Sequence, residues 1–277
     1  MKKAKISKKQ LEEIEEREIE FHDKWADSVD PKTVKVDAVG NACTMPETRY
    51  ILKKLGKLDG RKILELGCGC GEASVYFAKK GASVTATDIS SGMVRLTEKV
   101  AKLHKVKIQT AVSGAEDIPF ADNSFDIVYA ANVLHHVDIA RALPEIKRVL
   151  KPSGIFVQWD PVEYNPAINI YRKKAGSVRT VDEHPIDRSY IKDVKKYFRH
   201  VSYRGFWLFS CWIFVKYYFI DKIDPNKERY WKKIIDDAEN LEKTYTRLAK
   251  IDELIFKIIP LAKWWCWNMV IFSTDRG

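Results

Sequence analysis

The chain has 277 residues, 45% of them hydrophobic and 31% charged, with a formal net charge of +10. This composition excludes a disordered or collagen-like chain and suits one domain with an elaboration. No apolar run follows the Lys-rich start, and cysteines 43, 68, 70, 211 and 266 make no paired CxxC units, so the expectation is a cytoplasmic protein with reduced thiols, no signal peptide and no metal site. Residues 1 to 20 carry charge at nearly every position, with Leu11, Ile14 and Ile19 as a partial apolar stripe, and read as a solvated helix. Phe21 and Trp25 at its end are placed to dock on a core. Residues 31 to 46 read as a loop with Pro31, Gly40 and Pro46, and residues 48 to 58 have helical spacing through Tyr50, Ile51, Leu52 and Leu55.

Ile63 to Leu66 is a short apolar strand that runs into Gly67-Cys-Gly-Cys-Gly71. Glycine reaches backbone angles closed to other residues and admits a ligand close to the main chain. Residues 72 to 80 have helical spacing, and Gly81 ends that helix. Strand, turn and helix form the first half of a βαβ unit, with a ligand expected at the carboxyl end of the strand. Neither phosphate-binding motif fits. The third glycine of a dinucleotide fingerprint would fall at Glu72 or Ser74, and no Gly-Lys-Ser/Thr closes the loop. The loop carries the acid Glu65 and no base, which favours a cation over a pyrophosphate. S-adenosylmethionine has a sulfonium, an ammonium and no phosphate. The second strand, residues 83 to 88, ends in Asp88, placed to accept ribose hydroxyls.

Ser90 is an N-cap for a helix over 92 to 104. Met93 in its first turn either packs or lays its thioether on a purine. Residues 106 to 112 and 124 to 130 are the third and fourth strands, the latter apolar as buried parallel strands are. Asn132-Val-Leu-His-His-Val137 leaves the strand end where ligands bind. His135 and His136 are adjacent, and a helix does not point both into one pocket, so one is expected to be structural. Either is a candidate general base. After a helix over 139 to 150 and a Lys-Pro-Ser-Gly turn, the fifth strand, residues 154 to 160, delivers Asp160, Glu163 and Tyr164 as pocket candidates or as solvated loop residues.

Six stretches in this order and spacing resemble the class I S-adenosylmethionine-dependent methyltransferases, in the branch similar to ubiquinone/menaquinone methyltransferases. They are Glu65-Leu-Gly-Cys-Gly-Cys-Gly71, Asp88-Ile-Ser-Ser-Gly-Met93, Ala115-Glu-Asp-Ile-Pro-Phe120, Ser124-Phe-Asp-Ile-Val128, Asn132-Val-Leu-His-His136 and Leu150-Lys-Pro-Ser-Gly154. The resemblance implies an α/β fold, a Rossmann-like, seven-stranded, mostly parallel sheet with helices on both faces. It implies a cofactor site of Glu65, Gly67, Cys68, Gly69, Gly71, Asp88, Ile89, Met93, Ala115, Glu116 and Asn132, with His136 and His135 beside the transferred methyl group. Where the family has an acid for the adenine amino group this chain has Gly114, so that contact falls to the backbone of Ala115, to Glu116 or to Asp117. The family's aromatic segment over the cofactor carries a Tyr where this chain has Phe21, with His22 as the candidate substitute.

Arg172, Lys173, Lys174 and Arg179 form a basic cluster, solvated or holding a phosphate or carboxylate, ahead of Asp182-Glu-His-Pro185. His184 is a further candidate base, and Asp160 completes the catalytic candidates. A helix over 188 to 198 and a strand over 201 to 209 follow, and the last strand is 268 to 274. Between them stand about 55 residues beyond what the family core needs, including an apolar run at 211 to 220 and a long helix from 227 to 259. The expected organisation is an N-terminal helical cap (1–45), the cofactor-binding core (46–210), an aromatic-rich insertion (211–263) and the last core strand (264–277). Three readings of the insertion stand: a packed lid, a peripheral anchor on an anionic membrane surface, or a dimer interface. Lys216, Lys257, Pro260 and Lys263 interrupt its apolar runs, against a transmembrane span. The function expected is methyl transfer to a hydrophobic small-molecule or lipid-type acceptor. A soluble natural-product or sugar methyltransferase, an RNA methyltransferase and a non-enzymatic cofactor-binding partner are the alternatives. The charge permits nucleic acid, but no RNA-binding module or Asn-Pro-Pro-Tyr-like motif is read.

Overall fold

A computed structural model describes residues 8–178 and 183–275. Residues 1–7 of the N-terminal cap, Arg179 of the basic cluster and Asp182 lie outside the described residues. The helix α1 (Lys8–Ser28) opens the chain, followed by a short α2 (Ala38–Asn41) within the expected loop and by α3 (Pro46–Leu55). Then come β1 (Lys62–Leu66), α4 (Glu72–Lys79), β2 (Ser83–Asp88), α5 (Ser91–Leu103), β3 (Gln109–Val112), β4 (Phe125–Ala131), α6 (Ile139–Val149) and β5 (Leu150–Pro161). After α7 (Pro166–Lys174), α8 (Arg188–Tyr197) and β6 (His200–Phe206), the insertion contributes α9 (Trp212–Phe219), α10 (Tyr230–Asp236) and α11 (Ala238–Ile258) ahead of β7 (Asn268–Thr274).

The strands form one sheet in the order β3-β2-β1-β4-β5-β7-β6, with β1 to β5 pairing in parallel and β7 antiparallel to both its neighbours. Alternate residues of each strand feed opposite faces, as the pleat requires. Leu64, Leu66, Val128 and Phe156 pack with Ile146 of α6 and Val194 of α8. Ile63, Ile127 and Val157 pack with Ile51, Phe77 and Val100 from α3, α4 and α5 on the other face. Every strand of the centre is thus buried on both sides, which is why these strands read as near-continuous apolar runs.

Three elements depart from the sequence expectation. β3 is four residues long rather than seven and pairs with Thr85 to Asp88 of β2. The Lys-Pro-Ser-Gly stretch is not a turn: β5 starts at Leu150, and its pairing with β4 jumps from Phe125↔Leu150 to Ile127↔Ile155, so the extra residues are carried as an irregularity. The expected long helix is two, broken at Asp237. The Asp237 carboxylate accepts from the Tyr217 hydroxyl at 2.7 Å and pairs with Lys233 at 3.1 Å, and these contacts anchor the break.

The insertion has its own core, in which Trp207, Phe214, Tyr230, Leu241 and Tyr245 are buried together with Ile168 and Tyr171 of α7. A buried carboxylate fixes it to the turn that follows β6. Asp252 of α11 accepts the N–H groups of Leu208, Phe209 and Ser210 and the Ser210 hydroxyl, the last at 2.7 Å. Removing such an acceptor strands several buried donors. Asp252→Ala is expected to lower stability by about 3 kcal/mol in denaturant unfolding, with Asp252→Asn costing less.

Candidate active site

The carboxyl ends of β1, β2 and β4 open onto a cavity of about 320 Å³. Its floor is the glycine turn. Gly67, Gly69 and Gly71 all have positive φ (67°, 52° and 85°), a region closed to most side chains. A Cβ on Gly67 would collide with Val133, whereas one on Gly69 would meet nothing within 4 Å, so the Gly69 backbone fronts open space. Cys68 donates its N–H to Thr87 O at 2.8 Å and Gly69 donates to Asp88 Oδ2 at 3.0 Å, tying the turn to the end of β2. Asp88 Oδ1 accepts from the Ser90 N–H at 2.9 Å, and Ser90 Oγ caps α5 by accepting from the Met93 N–H.

Three acids face or underlie the cavity, and each is shifted toward its neutral form. Burial pushes the Glu65 carboxyl up to about 8, despite the hydroxyl that Ser74 donates to it. Burial also raises Asp88, against the opposing N–H bonds from Ser90 and Gly69. Glu116 is raised by burial too, and its Oε1 accepts the Asp138 N–H at 2.9 Å. An enclosed acid held neutral by desolvation re-ionises when a cation is brought beside it.

Most of the sequence candidates meet here. Glu65, Gly67, Cys68, Gly69, Asp88, Ile89, Ala115, Glu116, Asn132, His135 and His136 all line the cavity. Asn132 takes φ of 58° and donates its N–H to Trp159 O at 2.7 Å, the strained bend that turns the chain off β4. Four expectations are corrected. Met93 is fully buried in the core beneath α5 and does not reach the cavity. Gly71 stands back from it at the start of α4, against Thr97. Asp160 is fully buried behind the wall rather than on it. His184 supplies no ring to the cavity. Its N–H donates to His135 O at 2.6 Å, and Glu183 is the lining residue. Asp117, Glu163 and Tyr164 also lie off the cavity.

The two adjacent histidines both face the cavity, contrary to the expectation that one would be structural. Leu134–His136 is a single 3-10 turn, and the two rings sit 4.0 Å apart. Each is held at Nδ1 by a carboxylate: His135 by Asp160 Oδ1 at 2.8 Å, His136 by Glu18 Oε1 at 3.2 Å. Burial drives Asp160 well above the ordinary carboxylate range, opposed by N–H groups of residues 133 to 135. Nδ1 of His135 is thus committed to the Asp160 carboxyl group. Glu183 brings a carboxylate oxygen into the same corner. His135, His136 and Glu183 each offer a ligand atom within 4.8 Å of the others, the reach of a single cation.

The cap and the insertion close the cavity, and the sequence did not point to most of these residues. Glu18, Phe21, His22 and Trp25 come from α1, and Arg229, Trp231, Ile234 and Ile235 from the segment around α10. Trp25 and Trp231 meet edge to face at 5.6 Å, and Arg229 lies over Trp25 at 4.5 Å. His22 is engaged by Glu18 at 3.4 Å. Trp231, Ile234 and Ile235 fall in the long helix expected over 227 to 259, read as part of a lid, an anchor or a dimer interface, and the fold turns them toward the site.

Residues 64–158 match the family described as Methyltransferase domain. Demethylmenaquinone methyltransferase of Renibacterium salmoninarum is 31% identical over 156 residues, 54% of this chain and 64% of that one. Sterol 4-C-methyltransferase strm-1 of Caenorhabditis elegans is 24% identical over 230 residues, 82% of this chain and 60% of that one. The chain thus spans less than two thirds of the length of either relative. Phosphoethanolamine N-methyltransferase 2 of Haemonchus contortus, solved with S-adenosyl-L-methionine, shares the fold at a TM-score of 0.54 and 20% identity, over 82% of this chain and 52% of that one. With the strand order, the glycine turn tied to Asp88 and the match over residues 64–158 in hand, that stretch of the chain is a methyltransferase domain on the Rossmann-like fold of the class I methyltransferases.

Proposed function

We propose that the domain binds S-adenosylmethionine in this cavity and transfers its methyl group to a hydrophobic, lipid-type small molecule. The observation that supports the acceptor class is the part of the cavity wall where Phe21, Trp25, Trp231, Ile234 and Ile235 present apolar and aromatic surface from two separate elements. When bound, the cofactor supplies the electrophilic methyl for an in-line displacement. Asp88 is placed to accept ribose hydroxyls while its backbone donors hold it in position. The open face of Gly69 admits the nucleoside close to the main chain, and Glu65 supplies charge for the cationic end. The aromatic wall excludes water and aligns the acceptor. For a hydroxyl acceptor, His135 takes the proton at Nε2 and Asp160 steadies the resulting imidazolium from Nδ1. His136, held by Glu18, is the second base at the same corner.

The acceptor class is tested by supplying labelled cofactor to a cell extract and separating lipid, aqueous and RNA fractions. Label is expected in the lipid fraction, and label confined to the aqueous or RNA fraction would replace the lipid reading. Asp88→Ala removes ribose contacts and frees the turn, so calorimetry with S-adenosylhomocysteine should show affinity weaker by about 100-fold. His135→Ala should leave cofactor affinity within about twofold while lowering kcat by about 100-fold or more. Asp160→Asn should lower kcat and alter its pH profile.

The Glu65 shift gives a pH dependence of fixed sign. Its carboxyl is raised in the fold from 4.5 to about 8, so the native state holds a proton that the unfolded chain has lost. Stability of the ligand-free protein should therefore fall as pH rises from about 4.5 to 8 and level off above. Cofactor binding should release a proton across the upper part of that window, with affinity rising toward pH 8. Glu65→Gln should flatten both trends, measured as melting temperature and as calorimetric proton release in two buffers.

A further inference from the structure

We propose that the C-terminal half of α11, with the turns packed beside it, is a docking face for an anionic lipid bilayer. The early part of α11 buries Leu241 and Tyr245 in the insertion core, but three apolar residues further along are exposed. Ile251, Leu254 and Ile258 are 45%, 57% and 69% exposed. The phase of the helix is set by Asp252, which faces inward to its donors from residues 208 to 210. At 3.6 residues per turn, Ile251, Leu254 and Ile258 then fall within an arc of about 60° on the opposite side.

The neighbouring turns extend this face. Ile259, Leu261 and Trp265 continue it through the 3-10 turn Pro260–Trp265, which packs against α11, and each is at least half exposed. Phe209 and Trp212, in the Phe209–Cys211 turn and at the start of α9 on the Asp252 side of the helix, are also more than half exposed. More than half of the large apolar side chains exposed among the described residues are gathered on these adjoining elements. Monomeric proteins rarely leave such a cluster bare without a partner.

Charge argues for the partner's chemistry. Between β6 and α11 lies an open cleft of about 400 Å³, lined by Arg204, Lys257 and Lys263. Its acid, Glu253, is paired with Arg204 at 3.1 Å, so the two lysines are surplus. An apolar and tryptophan-bearing stripe beside a basic cleft matches an interfacial helix that seats its side chains among acyl chains and its cations among anionic headgroups. No helix among the described residues is long and apolar enough to cross a membrane, so the contact lies along the surface. Phe209 and Trp265 stand two residues from Trp207 and Trp267, which line the cavity, so the docked face adjoins the insertion side of the site. The proposal does not depend on the acceptor assignment.

Flotation of the full chain tests it, with vesicles of phosphatidylcholine alone or mixed with phosphatidylglycerol. The protein is expected to rise with the mixed vesicles at low salt and to stay down with phosphatidylcholine alone or at high salt. Lys257→Ala should reduce binding about fivefold, and Leu254→Glu should reduce it further, with melting temperatures unchanged because both side chains are exposed. A chain that stays at the bottom with both vesicle types overturns the proposal. So does flotation that Leu254→Glu leaves intact. A dimer seen by light scattering that Leu254→Glu dissolves, without flotation of the parent, assigns the face to a second copy instead.

Discussion

The Asp88 carboxylate is the contact on which the site is built. One oxygen accepts from the Gly69 N–H and the other from the Ser90 N–H, so a single side chain joins the turn after β1 to the turn after β2. Asp88 is 7% exposed, and a charged group so enclosed is unfavourable unless hydrogen-bonded. The backbone donors meet that need and orient the group at the same time. Without them the turn, whose glycines already occupy positive φ, would have no fixed edge against which a nucleoside could be held.

The second layer of organisation is the closure of the cavity by chain segments that are distant in sequence. Asp23 of α1 accepts from Ser90 Oγ at 2.5 Å and from the Gly92 N–H at 2.8 Å, so the cap is bonded to the helix that follows Asp88. Trp25 then meets Trp231, with Arg229 and Lys232 over its ring at 4.5 and 4.9 Å. The cation–π contacts work because the ring is partly screened from water between the two elements. Cap, core and insertion therefore share one wall, although the domain match covers only the middle of the chain.

Legibility follows the range of the forces involved. The glycine turn, the strand ending at Asp88, the Ser90 cap and the last strand at 268 to 274 could be read because each is set by its own neighbours in sequence. The break at Asp237 could not, since Tyr217, twenty residues away, anchors it only once the insertion has folded. The histidine pair was misjudged for a related reason: the two rings are drawn to one corner by carboxylates distant in sequence, Asp160 for His135 and Glu18 for His136. Met93 sits where the motif puts it in sequence, yet α5 rotates it into the core. Asp160 and His184 act on the site through His135, one by its side chain and the other by its backbone, which residue type alone does not distinguish.

The arrangement at the start of α5 carries a consequence for discrimination among nucleotides. Helix N-termini are natural seats for phosphate, because their N–H groups lack partners and the dipole is positive there. Here Asp23 already occupies the Gly92 N–H, Ser90 Oγ the Met93 N–H and Asp88 the Ser90 N–H. A 2′-phosphorylated ribose laid against Asp88 would find that seat filled and two carboxylates opposing it. A phosphate at this helix end would therefore compete with acceptors that the protein itself already supplies.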